Sequence, residues 1–547
     1  MTLMFNKGLL LFNTVKYLKV GQVLNRVKRK FIKPKVNLLD IPENSYPISK
    51  IKPVIQCSQR MHGESNFKFL NKKFILKVPE DWNAKNQDKL WLYNLHYFDD
   101  LNAINSEQRT IWHGNLIQNW INDNPLGFGN GWEPYPSSLR IVNWIKWSLS
   151  SGDLKKEWLG SLAIQTRFLS QNLEYHLLGN HLFTNAKALI FSGLYFHGSE
   201  ADEWYQSGMR ILNKELPEQV LADGGNFELS PMYHAIFLED LLDIINVHQV
   251  YEKKLPDNIV PKVIQMLEWL ETMCHPDGEI AFFNDSTLNV APTLDKLLDY
   301  TNRLNITYSD SQENQLTYLE DSGYIRVNRE GLVIIADVAE IGPSYIPGHG
   351  HADALSFELS LFGGRVFVNS GISTYESGFE RNTQRGTQSH STITVDDNDS
   401  SEVWGGFRVA KRAKVFNINN AKEDGNFKFS ACHDGYKRLK GRPIHCREWN
   451  VSENLLEIMD KITGSGKHKI TSTLPLHPEV VVGNIHDNSV ELVIRGKKIK
   501  VSFEGKGLLL VEASHYHPEF GLSVNNKQIV YSYNDNLPFK ATIRISW

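Results

Sequence analysis

Tyr308-Ser-Asp-Ser-Gln-Glu-Asn-Gln315 is a polar connector, and Gly323-Tyr-Ile-Arg-Val-Asn328 and Gly331-Leu-Val-Ile-Ile-Ala-Asp337 follow it. The two runs after the connector are short, rich in β-branched and aromatic residues, and bounded by turn-forming residues, which is strand-and-turn sequence. The pattern continues through Ser356–Phe362, Arg365–Val368, Ser391–Val395, Leu455–Ile462, Lys469–Leu474, Val490–Ile494, Leu508–Glu512 and Ala541–Trp547. So many short strands predict a large antiparallel sandwich over 316–547. On the other side of the connector the period changes. Trp112–Ile121, Leu139–Ser150, Trp158–Leu173, Leu182–Phe196, Trp204–Leu216, Ala235–Tyr251 and Val260–Met273 repeat apolar residues at spacings of three and four, which predicts helices. Successive helical hairpins of similar length can close into a bundle, a solenoid or a toroid. The expected architecture is an α+β multidomain chain: a lead-in over 1–84, a helical domain over 85–305 and the β domain. Ligand sites favour such domain interfaces.

Composition narrows the function classes. The chain has 547 residues, 41% hydrophobic and 22% charged, which fits a folded globular protein rather than a disordered or fibrous one. No apolar run has the length of a membrane-spanning helix. The formal charge of −3 provides no global basic field, so nucleic acid is not an expected partner, and a polyanion needs a local basic cleft. Cys57, Cys274, Cys432 and Cys446 are widely spaced and form no C-x-x-C, so free buried thiols are expected ahead of a Cys432–Cys446 bridge. The first 35 residues carry nine Lys or Arg and no acid. They read as a basic amphipathic arm. Packing on the domain with a solvated charged face is the favoured reading, and contact with an anionic membrane surface is the sharper one. No secretory signal is legible, so a cytoplasmic location is expected, peripheral to the inner membrane if the arm binds lipid.

Four segments interrupt the apolar pattern with titratable residues. Gly179-Asn180-His181 sits where a turn enters a helix. There Asn180 is either a cap or, with His181, a donor into a cleft. In Asp223-Gly-Gly-Asn-Phe-Glu228-Leu-Ser230-Pro231-Met-Tyr233-His234, Pro231 starts a helix whose first turn holds Tyr233 and His234. Tyr233 is then a buried phenol or a proton-transfer group. In Pro347-Gly-His349-Gly-His351-Ala-Asp353, an extended backbone turns both histidines to one side. His-x-His is a metal-ligand spacing that needs a third donor. Arg385 and His390 lie in the loop and strand entry at Arg381–Val395. Taken singly, each of these is more often structural than catalytic.

Together with Trp91-Leu-Tyr-Asn-Leu-His-Tyr-Phe-Asp99, Trp132-Glu-Pro-Tyr-Pro-Ser-Ser-Leu-Arg140 and Ser389-His-Ser-Thr392, these strings resemble, in their order and spacing, the heparinase II/III-like family of polysaccharide lyases. The resemblance covers most of the chain beyond the arm. It implies an incomplete (α/α) toroid followed by an antiparallel β-sandwich, with the cleft between them. It implies that Asn180 neutralises a uronate carboxylate with help from His181, that Tyr233 transfers protons, and that His349 is its catalytic partner. Glu228, His234, Arg385, Trp132 and Arg140 are expected to bind substrate. The resemblance also implies a structural zinc held by His351 and His390. The family places Asp in the strand after His-x-His, and this chain has Asn369 there. Asn is a weaker, neutral ligand, so a metal-free His351–Asn369–His390 cluster stands as an equal expectation. No organic cofactor is implied.

The expected reaction is β-elimination on a uronic-acid-containing polysaccharide or oligosaccharide: the C5 proton leaves, the O4-linked sugar is expelled, and a C4–C5 double bond remains. Donors aimed at the carboxylate stabilise the enolate-like charge. A C5-epimerase shares the first step and reprotonates the opposite face. A non-catalytic glycan-binding protein of surface-polysaccharide metabolism is the third reading. The sequence leaves the acid and base roles of Tyr233 and His349 open.

Overall fold

The structure, a computed structural model, describes residues 2–152, 154–309, 315–423, 425–505 and 507–547. The middle of the polar connector, 310–314, lies outside the described residues. Two arm helices come first, α1 (Thr2–Val15) and α2 (Val20–Phe31). A small antiparallel sheet of Met61–Gly63, Asn66–Phe69 and Lys72–Ile75 leads into the helical half. That half contains α3 (Lys89–Tyr97), α4 (Thr110–Asp123), α5 (Pro134–Ser151), α6 (Lys156–Ser170), α7 (Gly179–Tyr195), α8 (Ser199–Gln219), α9 (Pro231–Val250), α10 (Ile259–Thr272) and α11 (Leu294–Arg303). All seven helices expected from apolar spacing are present. Lys89–Tyr97 and Leu294–Arg303 are too short for a convincing period.

The β half is antiparallel throughout its three larger sheets. A five-stranded meander runs from Leu316–Leu319 to Gly364–Phe367 in chain order. A four-stranded sheet joins Ile393–Val395, Lys467–Pro475, Val524–Asn536 and Leu508–Tyr516, and an eight-stranded sheet spans Val415–Glu423 to Val481–His486. Strands such as Asn426–His433 alternate one buried and one outward residue, so their sequence looks polar although one face is core. A helical core and a sandwich core are distinct. A third cluster crosses between them: Leu229, Trp269, Met273 and Phe283 pack against Tyr324, Val333 and Ile335 of the meander.

One expectation is overturned and a second is met only in part. Cys432 and Cys446 are register partners on adjacent strands and form a disulfide, so only Cys57 and Cys274 are free thiols. Without the hairpin, a separation of 14 residues in sequence gives no sign of that pairing. The arm packs on the protein with Arg26, Lys28 and Lys30 solvated, as favoured from the sequence, but the apolar stripe of α2 is solvated beside them. On α2 the polar side turns inward, with Gln22 buried, while Val20, Leu24, Val27 and Phe31 are exposed. No helix among the described residues is long and apolar enough to cross a membrane.

Candidate active site

A cavity of about 800 Å³ lies between the two halves. Asn180, His181 and Tyr233 line it from the helical half, and His349, Tyr375 and Phe407 from the β half. The chain enters α7 through Leu178 and Gly179, both left-handed, with φ of 68° and 56°. A Cβ on Gly179 would lie 2.8 Å from Ile346 Cδ1 and 3.0 Å from Glu228 Oε1. The missing side chain therefore lets the loop before α7 close onto the loops that carry Glu228 and His349. Leu178, not Asn180, occupies the N-cap position. The Asn180 amide thus serves no capping role, and its Oδ1 is buried without a partner among the described residues.

His181 is held by Glu174, whose Oε1 lies 3.2 Å from Nδ1, while Asn185 donates to the other carboxylate oxygen at 3.2 Å. Tyr135 packs on the imidazole, with ring centroids 4.6 Å apart. Burial alone would lower the His181 pKa, but the Glu174 charge and hydrogen bond override it and raise it above the ordinary 6.5. The ring therefore carries a proton more readily than a free histidine.

Tyr233 reaches the cavity from the first turn of α9. Pro231 opens that helix, and the Ser230 side chain caps it by accepting the Tyr233 N–H at 3.2 Å. The phenol oxygen is 2.9 Å from that of Tyr375. Burial, then the proximity of Tyr375, pushes the Tyr233 pKa well above 10, so the group stays a neutral phenol. Its ring lies nearly parallel to His349, centroids 3.9 Å apart at 12°. His349 Nδ1 is 2.5 Å from Glu228 Oε2, and the Asn180 N–H approaches Glu228 Oε1 at 3.4 Å. A carboxylate at Nδ1 accepts the proton there and leaves Nε2 as the basic nitrogen.

The structure thus brings Asn180, His181, Tyr233 and His349 together, as expected. It does not place the five expected substrate contacts against the cavity. Glu228 is buried behind His349 and orients it. His234 is fully buried, accepting the Asn226 N–H and bonding the Met266 carbonyl. Arg385 donates to the carbonyls of Gly350 and Gly406, fixing the backbone between the two histidines of the His-x-His string. Trp132 packs against Trp120 and Phe168 inside the helical core. Arg140 donates to Gln165 and to the carbonyls of His96 and Gly131. Arg140, Arg385 and His234 spend their polar groups on buried backbone, Glu228 on the His349 ring, and the Trp132 indole N–H is buried without a partner among the described residues. Tyr375 and Glu174 carry no local pattern that would mark them. Tyr135 lies inside the Trp132–Arg140 string, one turn from the residues singled out.

The His-x-His segment is not a strand, and its two histidines do not share a partner. His349 meets Glu228, whereas His351 Nε2 is 2.9 Å from Asp285 Oδ1. His390 Nδ1 is 2.9 Å from Asn369 Oδ1. Both rings keep their other nitrogen buried and unpartnered. His351, Asp353 and His390 each bring one ligand atom within 4.8 Å of the others. Two imidazoles, each anchored by an oxygen on the far nitrogen, and one carboxylate make a donor set that fits a divalent ion such as zinc. In this geometry Asn369 stands behind His390, and the carboxylate facing the two rings is Asp353.

Along α9 the cavity continues past Ile236 to Glu239, Asp240 and Asp243. Lys187 bridges Asp240 and Asp243 at 2.6 Å each, and Lys146 adds a bond to Asp243 at 2.7 Å. These ion pairs form the floor of the cavity, and burial pushes the pKa of the third carboxyl, Glu239, up to about 7.

A model of the heparinase II/III N-terminus matches residues 108–316, and one of the heparinase II/III-like C-terminal domain matches 311–547. The chain belongs to the heparinase II/III-like family. Among its relatives in this family, a heparin-sulfate lyase of Pedobacter heparinus is 28% identical over 314 residues, 51% of this chain and 47% of that protein. A heparin-sulfate lyase of Bacteroides stercoris is 25% identical over 339 residues, 58% of this chain and 48% of that protein. The chain spans about half the length of these curated relatives. A heparinase III crystal structure aligns over 96% of this chain and 88% of its own, with TM-score 0.72 at 18% identity. A chondroitinase AC lyase structure aligns over 85% and 78%, with TM-score 0.51 at 11% identity. These structural likenesses establish the shared fold, a helical toroid followed by a β-sandwich.

Proposed function

We propose that the protein is a polysaccharide lyase that cleaves a uronic-acid-containing glycan by β-elimination. The observation that carries this reading is the Tyr233–His349 stack at the cavity wall, with Glu228 fixing the imidazole and Asn180 and His181 beside it. Protonated His181 and the Asn180 amide meet the uronate carboxylate and stabilise the charge that develops when the C5 proton leaves. His349 Nε2 takes that proton. Tyr233, held neutral, gives its proton to O4 as the bond to the next sugar breaks. The C–H pair moves into the C4–C5 double bond, and the C4–O4 pair leaves with the oxygen. The names of the related heparin-sulfate lyases agree with an acidic glycan substrate.

Because the two rings are stacked, their reactive edges reach the sugar from one side. The C5 hydrogen and O4 then lie on the same face, as in D-glucuronate and D-mannuronate and unlike L-iduronate or D-galacturonate. In this reading His351, His390 and Asp353 hold a structural zinc that stiffens the loop after His349, and no step of the reaction runs through it.

The test is ultraviolet absorbance of unsaturated uronate ends on polymers of each configuration. Absorbance should rise with glucuronate or mannuronate polymers, and Tyr233→Phe should lower the rate by ~10²-fold or more. Solvent deuterium entering C5 without chain scission would reassign the protein as an epimerase. Undiminished cleavage by both Tyr233→Phe and His349→Ala would remove the assignment of the two residues.

A further inference from the structure

Helix α2 is amphipathic and faces the wrong way for a helix of a free-standing soluble protein. Gln22, Asn25 and Arg29 recur at intervals of three and four and form the side turned toward the protein. Gln22 is 2% exposed and its Nε2 approaches the carbonyl oxygens of Leu177 at 3.3 Å and Tyr345 at 3.4 Å. Arg29 donates to the Asn172 carbonyl at 3.1 Å. Val20, Leu24, Val27 and Phe31 recur at four, three and four and form the opposite side, exposed by 75%, 63%, 50% and 81%. A surface helix ordinarily buries such a stripe. Further exposed apolar residues lie along the chain on both sides of it, Leu9 and Phe12 of α1 before it and Ile32, Leu38 and Leu39 after it.

The charges around the stripe identify what covers it. At 100° per residue, Lys28 and Lys30 fall on opposite flanks of the Val20–Leu24–Val27–Phe31 line. Long lysine stems can lie along an apolar surface while their ammonium groups reach a polar boundary. The first 35 residues contain nine Lys or Arg and no acid. An apolar stripe flanked by cations, with no acid to repel an anion, is complementary to an anionic lipid surface. A polyanionic glycan would use the cations and leave the apolar stripe in water.

The arm is also fixed to the body, so the stripe is presented rather than left on a tether. Thr14 accepts a hydrogen bond from Trp404 at 3.1 Å, Arg412 lies over the Tyr17 ring at 4.0 Å, and Lys19 pairs with Glu218 at 2.7 Å. We propose that α1 and α2 form an interfacial docking surface that seats the protein on an anionic membrane, with Val20, Leu24, Val27 and Phe31 entering the headgroup region.

The test uses the full chain and vesicles of phosphatidylcholine with or without phosphatidylglycerol, read by co-sedimentation beside gel filtration and circular dichroism. The protein should pellet with the phosphatidylglycerol vesicles and stay in solution with phosphatidylcholine alone. Val20→Ser, Leu24→Ser, Val27→Ser and Phe31→Ser combined should weaken that binding at least about tenfold. Lys28→Glu with Lys30→Glu should abolish the preference for anionic lipid while leaving the helix content and the lyase assay unchanged. Failure of the unmutated protein to pellet with anionic vesicles would overturn the proposal. So would binding that survives both variants, or a concentration-dependent dimer that the apolar variant abolishes, which would assign the stripe to a second copy of the chain.

Discussion

At the scale of single residues, the proposed chemistry depends on carboxylates set behind the cavity lining, Glu174 and Glu228. Glu174 and His181 form a coupled pair. Its two contributions to stability have opposite pH limits. The His181 pKa is raised above 6.5, so its share is complete below 6.5 and is lost as pH rises through the raised value. Glu174 is buried, which would raise its pKa, but the His181 charge and hydrogen bond lower it below 4.5. Its share is complete above 4.5 and is lost as pH falls through the lowered value. In the proposed reaction the same proton on His181 attracts the uronate. KM should therefore climb on the alkaline side as that proton is lost. Glu174→Gln should move the climb to lower pH by about one unit, with kcat changing less than KM. A pH series of initial rates for the two proteins checks this. An unmoved alkaline limb would detach His181 from substrate binding.

At the scale of elements, the site is built at helix and loop entries rather than along helix faces. Asn180 and His181 open α7, and Tyr233 opens α9. The sequence made the α9 entry legible, because Ser230-Pro231 is a recognisable start and puts Tyr233 in the first turn. The α7 entry was legible only in part. Asn180 in a Gly-Asn-His turn reads equally as a cap, and nothing local indicates that Leu178 takes that position. The five expected substrate contacts all lie away from the cavity lining. Buried Arg and His side chains that bond backbone carbonyls, as Arg140, Arg385 and His234 do, have the same composition as a binding motif, and only long-range packing separates the two cases. Asp353 escaped notice as a candidate metal donor for the converse reason, since the two histidines it could join lie 2 and 37 positions away and meet it only in the fold. Gly179→Ala tests the α7 entry. The new methyl meets Ile346 and Glu228 at a left-handed position, so it should cost about 1–3 kcal/mol in thermal or denaturant unfolding. It should also depress the lyase rate, because the loop cannot close against Glu228.

At the scale of the whole molecule, the helical half and the sandwich were both legible from the change of period at the connector, whereas the seam between them was not. The cluster joining them brings together a pair four apart on α10, Trp269 and Met273, and a pair two apart on a strand of the meander, Val333 and Ile335, and neither local period says that the two meet. Trp269 is its centre: fully buried, stacked on His234 with centroids 4.3 Å apart, and bonded to Ser322 Oγ at 2.8 Å. Trp269→Ala should lower stability by about 3–5 kcal/mol. It should also uncouple the halves, so that calorimetry resolves two unfolding steps where the unmutated protein shows more cooperative unfolding. A single, equally cooperative transition at lower temperature would place the coupling elsewhere.

Tyr233 comes from one half and His349 from the other, and their rings touch. Neither domain alone owns a complete acid–base pair, so in the proposed reaction turnover itself reports that the two are docked. In that reaction, an influence that parts the rings by about an ångström should silence turnover without unfolding either domain, and a ligand that spans both sides should hold them closed. The same division makes the two sequences answerable to each other. A change that reshapes the loop bearing His349 succeeds only if the first turn of α9 can follow it.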